Sequence, residues 1–403
     1  MTNRQAAIEI IKRLQAKGFT ALLAGGCVRD MLLRRRAKDY DVATNALPGD
    51  VIRLFKRTLK VGAKFGVVIV LIDGQQVEVA TFRTEAGYAD GRHPSKVQFV
   101  DPAEDAARRD FTINGMFYDP LKKKVIDFVN GQADLKRKRL RTIGLPNERF
   151  SEDYLRMLRA IRFSTQLGFA IEKNTWQAIC DNAKSIIKIS GERIAMELEG
   201  ILISPRRAAG VSLLLKSGLA DAIFPALAGK SAVSVLGKLP KNSDFVLAMV
   251  GLFADCTTEF ALEKCKILKL SKNQIKNIKF LLANRGKLLN DKMSLAELKM
   301  ILAEPYFEDL YELQKAIQKA GKKSTTALLN LRKRIKSLGD IELKPKPLLN
   351  GHDLMKLGAV PGPALGQLAR ELYVTQLEGV VQTPKQAKLW TLKWLQKHQL
   401  NEK

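Results

Sequence analysis

Histidine is scarce in this chain: 403 residues hold three, His93, His352 and His398. That leaves too few imidazoles for a histidine-rich metal centre and gives little support to a histidine-based catalytic triad. Cysteine is nearly as rare. Cys27, Cys180, Cys256 and Cys265 are scattered, with neither a Cys-x-x-Cys pair nor a neighbouring histidine. Buried thiols in a reducing cytoplasm are therefore expected, not a zinc site or a disulfide framework. Long apolar runs are also missing: stretches such as Phe245 to Ala254 fall well short of the ~20 residues that cross a bilayer, so no membrane partner is expected. The first residues read as an amphipathic helix with interspersed charge, unlike the apolar core of a secretion signal. Neither Gly-x-x-x-x-Gly-Lys-Ser/Thr nor Gly-x-Gly-x-x-Gly occurs, so a P-loop and a dinucleotide fingerprint are excluded.

What the chain has in excess is positive charge. Sixty-eight Lys and Arg face 41 Asp and Glu, a net +27. Self-repulsion on that scale is tolerable when the partner is a polyanion, and nucleic acid is the commonest one, although charge also serves solubility alone. With 46% hydrophobic and 27% charged residues the chain should fold as a globular protein. Its length calls for two or more domains.

Residues 1 to about 143 alternate short apolar runs with turns. Leu22-Leu23-Ala24 runs into Gly25-Gly26 and a helix-like segment, followed by Tyr40-Asp41-Val42. Val67 to Ile72 and Val77 to Phe82 flank Asp73-Gly74, which suits the φ > 0 geometry of a two-residue hairpin turn. From about Phe150 strand signals stop and helical periodicity takes over, as in Tyr154-Leu155-x-x-Leu158-x-x-Ile161. The pattern predicts an α/β or α+β domain followed by helical chain. Lys344-Pro345-Lys346-Pro347 reads as a linker or helix break before a last helical unit.

Asp39 and Asp41 are two residues apart, which in a strand places both carboxylates on one face. Hard oxygen ligands that leave positions free for water and phosphate are what Mg²⁺ favours. By itself the pair also fits a solvated acidic turn. Glu78, between Val77 and Val79, is costly inside a β-branched run unless it meets water or a cation. If the hairpin lies beside the strand carrying Asp39 and Asp41, Glu78 completes a three-carboxylate cage; otherwise it is an edge charge. Gly25-Gly26 lets backbone approach a phosphate at a helix start, and Arg29 offers a forked cation to a triphosphate. In Arg108-Arg109-Asp110-Phe111-Thr112-Ile113-Asn114, Arg109 could grip triphosphate or ribose while Asp110 orients it, or Asp110 could cap a helix.

Asp153, Arg156, Arg159 and Arg162 recur every three residues and read as one polar stripe of a helix from Glu152, beside Leu155, Leu158 and Ile161. The plain reading is a solvated face with an ion pair between Asp153 and Arg156. The sharper one is base selection: a carboxylate accepts from an exocyclic amine while a guanidinium donates to the adjacent acceptor, an edge that cytosine and adenine share. His352-Asp353 suggests a His-Asp metal phosphohydrolase, but that chemistry needs further histidines, and Asp353 is expected to open a helix.

Together Gly25-Gly26-x-Val28-Arg29-Asp30, Asp39-x-Asp41, the Arg108 to Asn114 cluster and Glu152-Asp153-x-x-Arg156 resemble the class II nucleotidyltransferase family, with Glu192-Arg193-Ile194 similar to its later helical motif. That family comprises CCA-adding enzymes, their CC- and A-adding relatives, and bacterial poly(A) polymerases. The resemblance implies a catalytic head (residues 1–143), a nucleotide-selecting neck (144–200), a body (201–290) and a tRNA-binding tail (291–403). It implies metal ligands at Asp39 and Asp41, with Glu78 as the third carboxylate. Nucleotide contacts are implied for Gly25, Gly26, Arg29, Arg109, Asp110, Asp153, Arg156, Arg159 and Arg162. Arg83 to Gln98 resembles the flexible loop that lets CCA-adding members switch from C to A, which CC-adding relatives lack. Val61 to Val68 looks like the tRNA-end enzymes. So does Asn350 to Gly366, which resembles a tail lying along the tRNA elbow. The expected activity is template-independent addition of C, C and A to the 3′ end of tRNA, from CTP and ATP with Mg²⁺, in the cytoplasm. CC-only, A-only and poly(A) addition stand as alternatives, as does an RNA-binding protein that lacks turnover.

Overall fold

The computed structural model describes residues 1–60, 65–86, 96–227, 229–339 and 342–399. Val61 to Lys64 and most of the stretch from Arg83 to Gln98, including Tyr88 to Pro94, lie outside the described residues. Two compact units form: one from Met1–Gly229 with Glu263–Leu270, the other from Lys230–Leu262 with Ser271–Lys403.

The first unit opens with helix α1 (Asn3–Ala16), which buries Ala6, Ala7, Ile10, Ile11 and Leu14 on one face. Thr2 and Gln5 form a reciprocal capping box at its start, a device worth about 1 kcal/mol. Strand β1 (Ala21–Ala24), helix α2 (Gly26–Leu32), β2 (Asp41–Thr44), α3 (Pro48–Leu54), β3 (Thr58–Leu59), β4 (Val67–Ile72) and β5 (Gln75–Thr81) follow. Then come β6 (Arg83–Ala86), β7 (Lys96–Phe99), α4 (Pro102–Ala107), β8 (Met116–Asp119), β9 (Lys124–Asp127) and α5 (Gly131–Lys136). Seven strands make one mixed sheet in the order β3-β4-β5-β2-β1-β8-β9, with β2 and β5 parallel and the other pairs antiparallel. The hairpin is where the sequence puts it. Asp73 and Gly74 both take positive φ, 45° and 75°, the twist a two-residue turn needs.

Leu22, Ala24, Ala43, Phe82, Ala106 and Phe117 pack into a core cluster under these strands. Phe82 meets Phe117 edge-to-face with centroids 5.7 Å apart. Burying each such aromatic contributes roughly 1.5–3 kcal/mol, enough to fix the strand ends that carry the polar residues described below.

Beyond the sheet, β10 (Arg139–Leu140), α6 (Pro146–Glu152), α7 (Leu155–Leu167), β11 (Ala170–Ile171), α8 (Lys173–Asn182) and α9 (Gly191–Leu202) complete the part that bears on the site. One strand therefore survives past Phe150: β11 pairs in parallel with β10 over two residues. Two residues are too few for any hydrophobic period to signal. The second unit has only helices among its described residues, ending in Gly351–Lys356, Pro363–Leu377 and Pro384–Gln399. These three share a core of Leu354, Leu368, Leu372 and Ala387. Irregular chain around Lys344 to Pro347 precedes them, as the proline spacing predicts. Asn350 and Asp353 cap the first of the three reciprocally, so Asp353 opens a helix as expected.

Candidate active site

Three neighbouring strands assemble the acidic end of the site. Ala24 of β1 registers with Asp41 of β2, and Val42 of β2 registers with Val79 of β5. Asp41 and Glu78 each precede that last pair by one residue, so they share the sheet face opposite the buried Val42 and Val79. Asp39 differs from expectation: β2 begins at Asp41, and Asp39 stands in irregular chain just before it. Its charge still reaches the site. The Asp41 carboxyl is pushed up to about 6, first by loss of surrounding water, then by the Glu78 and Asp39 carboxylates, with Arg109 pulling the other way. Among the described residues no three His, Cys, Asp or Glu side chains sit close enough together to hold a metal ion. The three-carboxylate cage is therefore not assembled as such. The Glu78 and Asp39 carboxylates act on Asp41 through their charge, a repulsion that a divalent cation would relieve. Behind Asp41, the buried Cys27 thiol is pushed up to about 11, by burial and then by Asp41, which makes it an inert packing group.

The glycine turn sits beside this cluster. Gly25 has φ +75°, and a Cβ there would stand 3.0 Å from Nη1 of Arg109, so the turn needs glycine both for its backbone and for the guanidinium it admits. Arg29, on α2, donates from Nε and Nη2 to Asp30 at 2.9 Å each and from Nη1 to Asn114 Oδ1 at 2.8 Å. Arg109 donates from Nη2 to Asp105 at 2.9 Å and lies over the Phe117 ring. Arg108 donates from Nε to the same carboxylate at 2.9 Å. Asp105 is almost fully buried. Burial alone would raise its carboxyl, but Arg109 and Arg108 outweigh that and hold it below the usual carboxylate range.

Asp110 caps no α-helix. Its Oδ2 accepts from Nε and Nη2 of Arg159 at 3.0 and 2.8 Å, while Oδ1 accepts from Asn114 and from the Phe111 backbone. Burial pushes this carboxyl up, Arg159 more than offsets the push, and it stays charged.

The polar stripe is broken at its start. Glu152 to Arg162 is not one helix: α6 ends at Glu152, Asp153 is extended (φ −153°, ψ 103°), and α7 starts at Leu155. Asp153 is thus off the three-residue period that joins Arg156, Arg159 and Arg162, and it does not pair with Arg156. Its Oδ1 accepts from the Leu155 backbone N–H at 3.0 Å, and its Oδ2 accepts from Nη2 of Arg193, on α9, at 2.7 Å. Arg156 pairs with Glu152 and donates to the Arg149 carbonyl at 2.8 Å. Arg162 donates to the buried Glu197 at 2.6 Å.

These groups line one open cleft of about 530 Å³. Gly25, Gly26, Arg29, Asp41, Arg109, Asp110, Asp153, Arg156, Arg159 and Arg162 all border it; Asp39 and Glu78 do not, and act on it through Asp41. Seven arginines and three aspartates line the cleft, and Asp30, Asp105, Glu152 and Glu197 pair with several of those arginines, so the cleft offers held guanidinium donors suited to a polyanion. Phe163 in the wall, and Asp105 and Glu197, which hold lining arginines, were not singled out from the sequence, while Asn114 and Arg193 enter there only as motif members. Asp105 was signalled by its spacing, three and four residues before Arg108 and Arg109. Glu197 was signalled by an acid set between Ile194 and Leu198 of an apolar helix face. Phe163 reads as ordinary core.

A mixed-sheet head presenting an acidic strand end beside a glycine turn, next to an arginine-lined cleft, defines a nucleotidyltransferase. Residues 21–141 match the Poly A polymerase head domain, and residues 168–230 match the probable RNA and SrmB-binding site of polymerase A. The CCA-adding enzyme of Lactobacillus delbrueckii subsp. bulgaricus is 36% identical over 93% of each chain. That of Lacticaseibacillus paracasei is 35% identical over 91% of this chain and 90% of its own. The crystal structure of the Bacillus stearothermophilus CCA-adding enzyme in complex with CTP superposes with a TM-score of 0.81, at 29% identity, over 100% of both chains. The chain belongs to the CCA-adding enzyme family.

Proposed function

We propose that this chain completes the 3′ end of tRNA by adding C, C and A in turn, without a nucleic acid template, from CTP and ATP. The observation that carries the reading is the cleft itself, which Asp153 and Arg156 line together with Asp41, Arg29, Arg109, Arg159 and Arg162. Asp153 accepts from the exocyclic amine and Arg156 donates to the neighbouring acceptor, which selects cytosine and adenine over uracil and guanine. Arg29, Arg109, Arg159 and Arg162 bind the triphosphate, with Asp110 holding Arg159. The Gly25-Gly26 turn brings backbone N–H groups near the phosphates. Asp39 and Asp41 hold Mg²⁺, aided by the field of Glu78; when bound, the metal supplies charge neutralisation at the leaving pyrophosphate and eases ionisation of the attacking 3′-hydroxyl.

The boundaries at 143, 200 and 290 divide head, neck, body and tail in this reading, and the basic helical residues 291–403 track tRNA phosphates. Phosphate contacts give affinity and register, while bases are read only at the growing end. No described helix is long and apolar enough to cross a membrane, and action in the cytoplasm, where tRNA matures, belongs to the same proposal.

The test supplies nucleotides singly and together to a tRNA ending at the discriminator base. Addition of two residues from CTP alone, none from ATP alone and three from both is the expected result. ATP incorporated alone would point to poly(A) addition, addition of a single A only to a tRNA already ending in CC would point to an A-adding enzyme, and arrest after two residues with both nucleotides would point to a CC-adding enzyme.

A further inference from the structure

Phe163 stands where three cations meet. The Cζ atoms of Arg162, Arg29 and Arg159 lie 4.3, 5.3 and 5.4 Å from its ring centroid, all within cation–π range. Phe111 closes its edge at 5.8 Å and 80°, and the ring is only 7% exposed at the cleft wall. The three arginines come from different places, Arg29 from α2 of the head and the other two from α7. Each already has a carboxylate: Asp30 for Arg29, Asp110 for Arg159 and Glu197 for Arg162.

We propose that Phe163 is a positioning residue that sets the three guanidiniums for the incoming triphosphate, holding cations together without cancelling their charge. Like charges this close repel, and a further carboxylate would quiet them only by neutralising the cleft. An aromatic face attracts them through its quadrupole yet carries no net charge, so it adds no neutralisation to that of the three carboxylates already paired with them. Fixed cations bind a polyanion at less entropic cost than free ones. Because the triphosphate is common to CTP and ATP, the ring governs affinity for both alike and leaves base choice to Asp153 and Arg156. This inference rests on the reading of the cleft as the nucleotide site.

The test keeps the shape of the ring and drains its quadrupole. Phe163 is replaced in the full chain by mono-, di- and trifluorinated phenylalanines, and KM for CTP and for ATP is measured in tRNA extension. The expected result is a stepwise rise in KM with fluorine count, roughly tenfold at three fluorines. The rise should be equal for the two nucleotides, with kcat, C/A preference and melting temperature nearly unchanged. Phe163→Leu should raise KM at least as far. A KM indifferent to fluorination overturns the proposal, as does a rise for one nucleotide only. Arg159→Ala separates the two levels: if it raises KM while fluorination does not, only the role of the ring is lost. If it leaves KM unchanged, the nucleotide-site reading fails with it.

Discussion

The carboxylate of Asp153 accepts a 2.7 Å hydrogen bond from Arg193, a residue forty positions further on, and not from Arg156 three positions away. One Asp153 oxygen is thus pinned from α9 and the other by the Leu155 backbone N–H. A side chain held on both oxygens has one orientation, as reading the edge of a base requires.

Asp153→Ala is therefore expected to lose preference for CTP and ATP over UTP and GTP, by about 10- to 100-fold, the worth of one bidentate base contact. Arg193→Ala should blunt selectivity less, since the carboxylate remains but is free to turn. Misincorporation of UTP on a tRNA lacking its CCA end measures both, and unchanged selectivity in Asp153→Ala removes the role.

Asp105 is a buried anion shared by Arg108 and Arg109. Asp105→Ala removes the carboxylate that Arg108 and Arg109 share and should cost about 3 kcal/mol or more in urea unfolding, the usual penalty for removing one partner of a buried pair. It should also raise KM for both nucleotides. Because the folded carboxyl lies below its ordinary 3.8, its stabilisation is complete above the unfolded value and disappears as acid carries the pH down through the folded one. A variant as stable as the parent at neutral pH would contradict this.

Asp41 has the opposite sign. Its carboxyl rises from 3.8 to about 6 on folding. Between those values the folded chain keeps a proton that the unfolded chain has lost, so stability falls as pH rises through the window. With metal chelated, Asp41→Asn should melt above the parent at neutral pH, and the gap should close as the pH drops toward 4. A variant that melts below the parent at neutral pH would show that the acid cluster carries no such strain.

Much of this was legible in the sequence because the signals were local. Asp73-Gly74 specified its turn, the β-branched runs specified the hairpin, and Gly25-Gly26 marked the strand-to-helix junction. The misjudged parts depend on contacts between distant segments or on a broken period. Asp153 looked helical because its spacing to Arg156 is three, yet the backbone leaves the helix there and only the distant Arg193 explains its hold. Asp39 looked like a strand residue because it is two from Asp41, but β2 starts later. No spacing reveals that Arg29 and Arg162, over a hundred residues apart, converge on one ring.

The most direct measurement is single-turnover extension of a tRNA that ends at the discriminator base, with CTP, ATP and Mg²⁺, by the parent chain and by Asp41→Asn. The parent should complete CCA, and the variant should be slower by roughly a thousandfold, a loss of several kcal/mol of transition-state stabilisation, with tRNA affinity retained. Completion of CCA by Asp41→Asn at the parental rate would contradict the account.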